Sequence, residues 1–282
     1  MRSFLAALAV ILGLLLSAAA VPAIWVDRNI VQEDGFVALA APLGKNPEFQ
    51  KRLATAAVNS IDTGGAVPPQ VAALVRPVLE KAATSLTGLP EYPAAWEQTL
   101  RKSHRLNFAD PGSLPAEADS GTSLTLDVAP LVGLAAKQIS SQVGVQLQAP
   151  GQTLVNIGQA SQRQQIERVS AYAPLGYSLA VGAGVAFLLA LVTARRRWKV
   201  LAGIGLGALA LSGVWTLASR WAADAVVGTA SGNEMADLFK REFVAASAAG
   251  FASWTLAAAI AGAALIAAGL LLRVVGGPAR RR

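Results

Sequence analysis

The sequence predicts a mainly α membrane protein: four transmembrane helices plus a mostly helical extracytoplasmic domain (α+β, with a small sheet). Three observations predict it. Hydrophobic residues make up 54 % of the 282 positions and charged residues only 15 %, with a mean hydropathy of +0.47. The apolar residues are gathered into four blocks, at 4–26, 174–194, 200–218 and 251–272, each long enough to cross about 30 Å of hydrocarbon as a helix. The ends of these blocks carry basic residues that no acid accompanies, as cytoplasmic flanks of membrane spans do.

The first block starts directly after Arg2 and Ser3. Ala18-Ala19-Ala20 has the small-residue pattern of a signal-peptidase site. The run nevertheless continues through Val21, Pro22, Ala23, Ile24 and Trp25, so residues 1–26 read as an uncleaved signal anchor. Such an anchor delivers the next segment, residues 27–173, to the outside.

This external segment reads as mostly helical. Asn46-Pro47-Glu48 is a helix start, with an amide cap, proline in the first turn and an early acid. Phe49, Leu53, Ala57 and Ile61 recur every four residues as one buried face, and Gly64-Gly65 ends it. Pro68-Pro69 opens a second helix with Val71, Leu74, Val75, Val78, Leu79, Ala82 and Leu86 on its apolar face, bent or broken at Pro77. Gly88-Leu89-Pro90 is a turn. A third helix over 93–105 carries Trp96, Leu100 and His104 on one stripe. After a loop at 107–121, residues 123–128 alternate with period two as a strand, and 131–143 returns to helical spacing. Residues 145–148 and 153–157 are further strand candidates. The polar stretch 158–170 is a helix feeding the second span.

The second span, 174–194, ends at a basic loop, 195–199, and the third occupies 200–218. An external loop at 219–250 holds an amphipathic helix at 233–244 whose Met235, Leu238, Phe239 and Phe243 share a face. That face suits either the membrane surface or the underside of the external domain. The fourth span, 251–272, leads into a basic tail, 273–282. Trp25, Tyr172, Tyr177, Trp221 and Trp254 fall near outer ends and Trp198 near an inner end, where amphipathic rings favour the headgroup region. Trp215, inside the third span, reads as a packing residue.

Charge supports the alternation of sides. All 17 acids lie between Asp27 and Glu167 or between Asp224 and Glu242; counted with the bases Arg28 to Arg168 the first segment has a net charge of −1, and counted with Arg220, Lys240 and Arg241 so does the second. The net +7 therefore resides in Arg2, the cluster Arg195, Arg196, Arg197 and Lys199, and Arg273, Arg280, Arg281 and Arg282. Both termini are expected in the cytoplasm of a multi-pass cell-membrane protein. The pI near 10.1 calls for no nucleic acid, which would need a basic face on a folded domain. The expected partners are membrane lipid and an envelope protein or cell-wall component. Glycine faces such as Gly203 to Gly207 suit close helix packing, within the chain or in a homo-oligomer.

The order of several motifs is familiar. The stretch Trp25-Val26-Asp27-Arg28-Asn29-Ile30-Val31-Gln32-Glu33-Asp34-Gly35-Phe36-Val37, then Ala41-Pro42-Leu43, Asn46-Pro47 and Phe49-Gln50, resembles a group of actinobacterial integral membrane proteins. The resemblance continues in the Trp96 to His104 helix, the segment Leu124-Thr125-Leu126-Asp127-Val128-Ala129-Pro130 and the hairpin arginines 195–197. It covers most of the chain and implies a four-span topology in a bacterial plasma membrane. It implies no activity, cofactor or site residue.

The search for chemistry yields no catalytic, cofactor-binding or metal-binding residues. The absence of cysteine removes disulfides, thiol catalysis and thiolate metal sites. His104 is the only histidine; a triad with Asp127 and a serine is conceivable, but no serine sits in a nucleophile-elbow pattern. Asp27, Glu33 and Asp34 could attract a cation, although capping and solvation explain them more simply. Gly182-Ala183-Gly184 lies inside a span, where helix packing accounts for it. The spans lack ionisable residues, which transporters usually need, and about ten residues follow the fourth span, too few for a cytoplasmic catalytic domain. The leading expectation is a non-enzymatic envelope protein whose external domain binds, senses or scaffolds. A transporter or channel subunit comes second and a membrane-bound hydrolase using His104 third.

Overall fold

A computed structural model of the chain describes residues 2–60, 85–108, 125–143, 151–156, 160–229 and 234–275. The protein is mainly α, with four helices long and apolar enough to cross a membrane. It divides into two units. One comprises Met1–Asp27, Ala171–Asp224 and Ser247–Arg282, the other Arg28–Ser170 and Ala225–Ala246.

The first unit is a helix bundle. Helix α1, Arg2–Val26, contains Pro22 without breaking. Later in the chain come α7, Leu175–Thr193, α8, Arg197–Val227, and α9, Glu234–Val275. Small residues set their spacing. A β-carbon on Gly13 would strike the Phe187 ring, and one on Gly176 would lie 2.8 Å from the Ile24 nitrogen, so α1 and α7 run antiparallel in close contact. Gly207 meets Leu14, and the Trp215 indole donates to the Ala18 carbonyl at 3.1 Å, which makes α1 and α8 parallel. Gly205 and Gly262 face each other: a β-carbon on either would come within 2.5–2.8 Å of the other's carbonyl oxygen. Gly269 likewise meets the Trp198 carbonyl, so α8 and α9 are antiparallel. Gly203 has open space around it, so the tight packing runs through Gly205 and Gly207. Of the Gly182–Gly184 pair, only Gly182 approaches a neighbour, Leu16.

These contacts bring the basic ends of the helices together. Ala6, Ala190, Val200 and Ile204 form one buried cluster, and the Arg273 guanidinium lies 5.0 Å from the Trp198 ring. Trp25 meets Phe251 edge-on at 5.5 Å, and the Tyr177 hydroxyl donates to Asp27 at 3.0 Å, both at the opposite end.

The second unit begins with a π-helical turn, Asp27–Val31, whose last four residues it contains. Helix α2, Glu33–Ala40, a 3₁₀ segment, Ala41–Lys45, and α3, Pro47–Ser60, come next. Asn46 caps α3 as its sequence predicts, accepting the amides of Glu48 at 2.9 Å and Phe49 at 3.2 Å. Then come α4, Tyr92–Phe108, and α5, Ala129–Val143. Strands β1, Thr125–Asp127, and β2, Leu154–Asn156, pair antiparallel with Leu126 opposite Val155. Helix α6, Ala160–Tyr172, precedes α7. The core gathers Val37, Ala40, Leu43, Phe49, Leu53, Tyr92, Trp96, Leu100 and Leu238, with Phe36, Leu131, Phe239 and Phe243 against it. Burial holds the Tyr92 hydroxyl up at about 12.

Several expected boundaries move. The third helix runs to Phe108, not 105, because Asn107 forms hydrogen bonds that prolong its polar face. The loop at 219–250 is mostly helix: α8 continues to Val227, and the amphipathic segment is the start of α9, not a separate helix. No proline falls between 197 and 227 or between 234 and 275, so nothing stops either helix where apolar gives way to polar. Leu238, Phe239 and Phe243 pack into the second unit's core, which decides between the two surfaces their amphipathic spacing allows. Helix α2 is an addition that periodicity alone does not announce. The anticipated helix after Pro68-Pro69 with its Pro77 bend, most of the 107–121 loop and the 145–148 strand lie outside the described residues.

Candidate functional site

Helix α4 is the chemically richest element, and its sequence sorts into three stripes at four-residue spacing. Trp96, Leu100 and His104 face the core and the π turn. Glu97, Arg101 and Arg105 form a charged stripe. Thr99, Ser103 and Asn107 face β1.

The Trp96 indole is fully buried and donates to the Ala40 carbonyl at 3.1 Å. Its ring packs edge-on against Phe49 and Phe239. Gly44 is required there, since a β-carbon would run into the indole. Two turns on, His104 is buried with Nε2 3.0 Å from the Ile30 carbonyl, which assigns the proton to Nε2 in the neutral ring. The ring stacks on Phe108 at 4.2 Å and leans on Phe36. Gly35 lets the π turn close, because a β-carbon would collide with the Arg28 carbonyl.

The charged stripe meets the acids of α2. Arg105 grips Glu33 with two bonds, at 2.6 Å and 3.0 Å. Arg101 donates to Glu33 at 3.1 Å, to Asp34 at 2.8 Å and to Glu97 at 3.1 Å. The Arg105 hydrogen bond, opposed by partial burial and helped by Arg101, holds the Glu33 carboxyl down at about 2. Asp34, with Glu33 and Glu97, pushes the Arg101 guanidinium up, and Glu33 pushes up that of Arg105. Glu33 and Asp34 are thus ion-pair partners of α4 rather than merely solvated acids.

The polar stripe docks the strands. Asn107 donates to the Ser103 and Thr125 carbonyls and accepts the Thr125 amide, each at 2.8 Å. The Ser103 hydroxyl donates to the Thr99 carbonyl and accepts the Asp127 amide. Asp127, also buried, accepts the amides of Ala129 and Thr153 at 3.0 Å each, with the Lys102 ammonium 3.8 Å away. The conceivable triad is therefore not assembled: His104 bonds Ile30, Asp127 caps α5, and Ser103 bridges backbone groups. Among the described residues no three His, Asp or Glu side chains group as a metal site would require. The acids of α2 could have been recognised as a helix start, since Glu33 and Asp34 precede the buried Val37 and Ala40. Their pairing with arginines on α4, far along the chain, leaves no local signal.

This arrangement predicts a two-step acid response. Burial lowers the His104 pKa below its ordinary 6.5, outweighing the Ile30 hydrogen bond and the nearby Glu33. The unfolded chain then binds a proton that the folded one resists, so stability is complete above 6.5 and declines as pH falls below it. Glu33 contributes stability above its ordinary 4.5 and loses it as pH falls toward about 2. Melting temperature against pH should show both limbs, and His104→Phe should flatten only the upper one. A variant profile identical to the parent would refute the assignment.

No protein-family model, no curated protein and no solved structure matches this chain.

Proposed function

We propose that the chain is an integral protein of the cell envelope, held by four membrane spans, whose second unit lies outside the cytoplasm and binds, senses or scaffolds another envelope component without catalysis. One observation carries this reading. Among the described residues, the exposed large hydrophobic side chains lie in the four long apolar helices, from Phe4 and Leu15 to Leu271 and Val275, apart from Val169 and Tyr172 at the end of α6 that leads into α7. The helices have lipid as their solvent, because so much contiguous apolar surface is not stable in water. The remainder of the second unit buries its large apolar groups and commits its histidine and buried aspartate to structural bonds. A folded body on the same chain as a membrane anchor suits recognition. Unopposed cations at one bundle end favour a cytoplasmic position for that end, which supports an outside position for residues 27–173. The resemblance to a group of actinobacterial integral membrane proteins implies the same four-span arrangement.

The cysteine-free chain makes the test direct. Single cysteines at Gln98 and Lys137 should react with an impermeant thiol reagent in intact cells, while one at Arg196 should react only after lysis. Crosslinking from the outward positions should then capture a specific envelope protein or wall fragment. Labelling of Arg196→Cys from outside would reverse the topology. Correct labelling without any captured envelope component would count against recognition.

A further inference from the structure

The basic end of the helix bundle is built as a surface for anionic lipid. Arg2, Arg195, Arg196, Arg197, Lys199 and Arg273 all stand exposed. Among the described residues none of the six pairs with a carboxylate, and the sequence holds no acidic side chain before Asp27, between Glu167 and Asp224, or after Glu242. No acidic side chain in these segments is available to neutralise them.

The six are also gathered by the fold. The α7–α8 turn carries three consecutive arginines, closed by the Lys199 amide bonding the Arg196 carbonyl at 3.0 Å. Trp198 is the organiser: the Lys199 ammonium lies 5.6 Å from its ring and the Arg273 guanidinium 5.0 Å. Gly269 lets α9 approach the Trp198 carbonyl, which brings Arg273 to the turn. Arg2 lies one turn before Ala6, which packs with Ala190 and Val200 at the same end. Cations held this close repel one another, and cation–π contact with a shared indole offsets only part of that. The carbonyl end of α7 favours positive charge; the start of α8, with no acid in its first turn, does not.

From this geometry we infer that the α7–α8 turn, with Trp198 and Arg273, binds the phosphate of an anionic phospholipid in the adjoining leaflet. Arginine suits the role because its planar fork matches phosphate oxygens, and charge at the membrane surface adds up residue by residue. The site is independent of what the other unit recognises. It goes beyond setting topology, since orientation alone requires charge but not a shared indole linking two helices.

The test uses the full-length protein equilibrated in mild detergent with equal amounts of phosphatidylglycerol and phosphatidylcholine. Native mass spectrometry counts retained lipid, and tryptophan fluorescence follows melting. Retained phosphatidylglycerol should exceed phosphatidylcholine by about tenfold and should raise the melting temperature. Arg195→Gln with Arg196→Gln should reduce that preference about tenfold, and Trp198→Leu should reduce it with every charge in place. Both variants keep enough cations to hold orientation, which thiol labelling at Gln98→Cys verifies. Equal retention of the two lipids, or a preference unchanged in both variants, would overturn the inference. So would equal stabilisation by inorganic phosphate without lipid, which would mark a soluble-anion site.

Discussion

Replacing Trp96 by alanine is expected to remove a large share of the second unit's stability. The side chain is fully buried and touches Phe49, Phe239 and, through the space left by Gly44, the 3₁₀ segment. Deleting so large a core side chain costs about 3–5 kcal/mol, against a total stability of about 5–15 kcal/mol for a domain. The loss also strands the Ala40 carbonyl, which accepts the indole proton. Trp96→Phe separates the contributions: the ring is largely retained and the hydrogen bond lost, at a cost of about 1–2 kcal/mol. Limited proteolysis should cut the alanine variant rapidly between the spans while leaving the phenylalanine variant nearly resistant. Equal resistance of all three proteins would show that this core does not hold the unit together. Gly44→Val should reproduce the alanine phenotype, because its side chain claims the same space as the indole.

The second large effect belongs to the bundle. Gly262→Leu should destabilise it by about 2–4 kcal/mol, since the new side chain meets a backbone oxygen of Gly205 and the Ala208 methyl, which cannot rotate away. Gly205→Leu should match it from the other helix. Gly184→Leu and Gly203→Leu provide the control, because a β-carbon at either position meets nothing within 4 Å. Thermal melting in detergent should rank the first pair well below the second. If all four melt alike, close approach of α8 and α9 is not what holds the helices together. The comparison also guards against misreading a flux assay, because a bulky residue at Gly205 disturbs helix packing whether or not the protein conducts anything.

Helix α4 shows how far residue pattern reaches. The spacing of Trp96, Leu100 and His104 marks a buried stripe without any knowledge of the fold, as four-residue recurrence follows from helix geometry. The same spacing in Glu97, Arg101 and Arg105 marks a charged one. What each stripe touches could not be read from it. Arg105 finds Glu33 across 72 positions and Trp96 finds Ala40 across 56, and no local pattern encodes a partner that distant. Helix ends were similarly elusive: α8 and α9 run past the apolar blocks because a change of solvent does not break a hydrogen-bonded backbone that lacks proline or a cap.

Composition and helical periodicity are local properties of the chain. They were enough to set the number of apolar helices, the ends at which uncompensated cations lie, and the faces along α3 and α4 that must be buried. Other features came only from how the helices assemble: Gly205 rather than Gly203 meets α9, Leu238 and Phe243 join the second unit's core, and Arg273 shares an indole with the α7–α8 turn. Each depends on how helices rotate against one another, and that rotation is set by the shapes of side chains far apart in the chain.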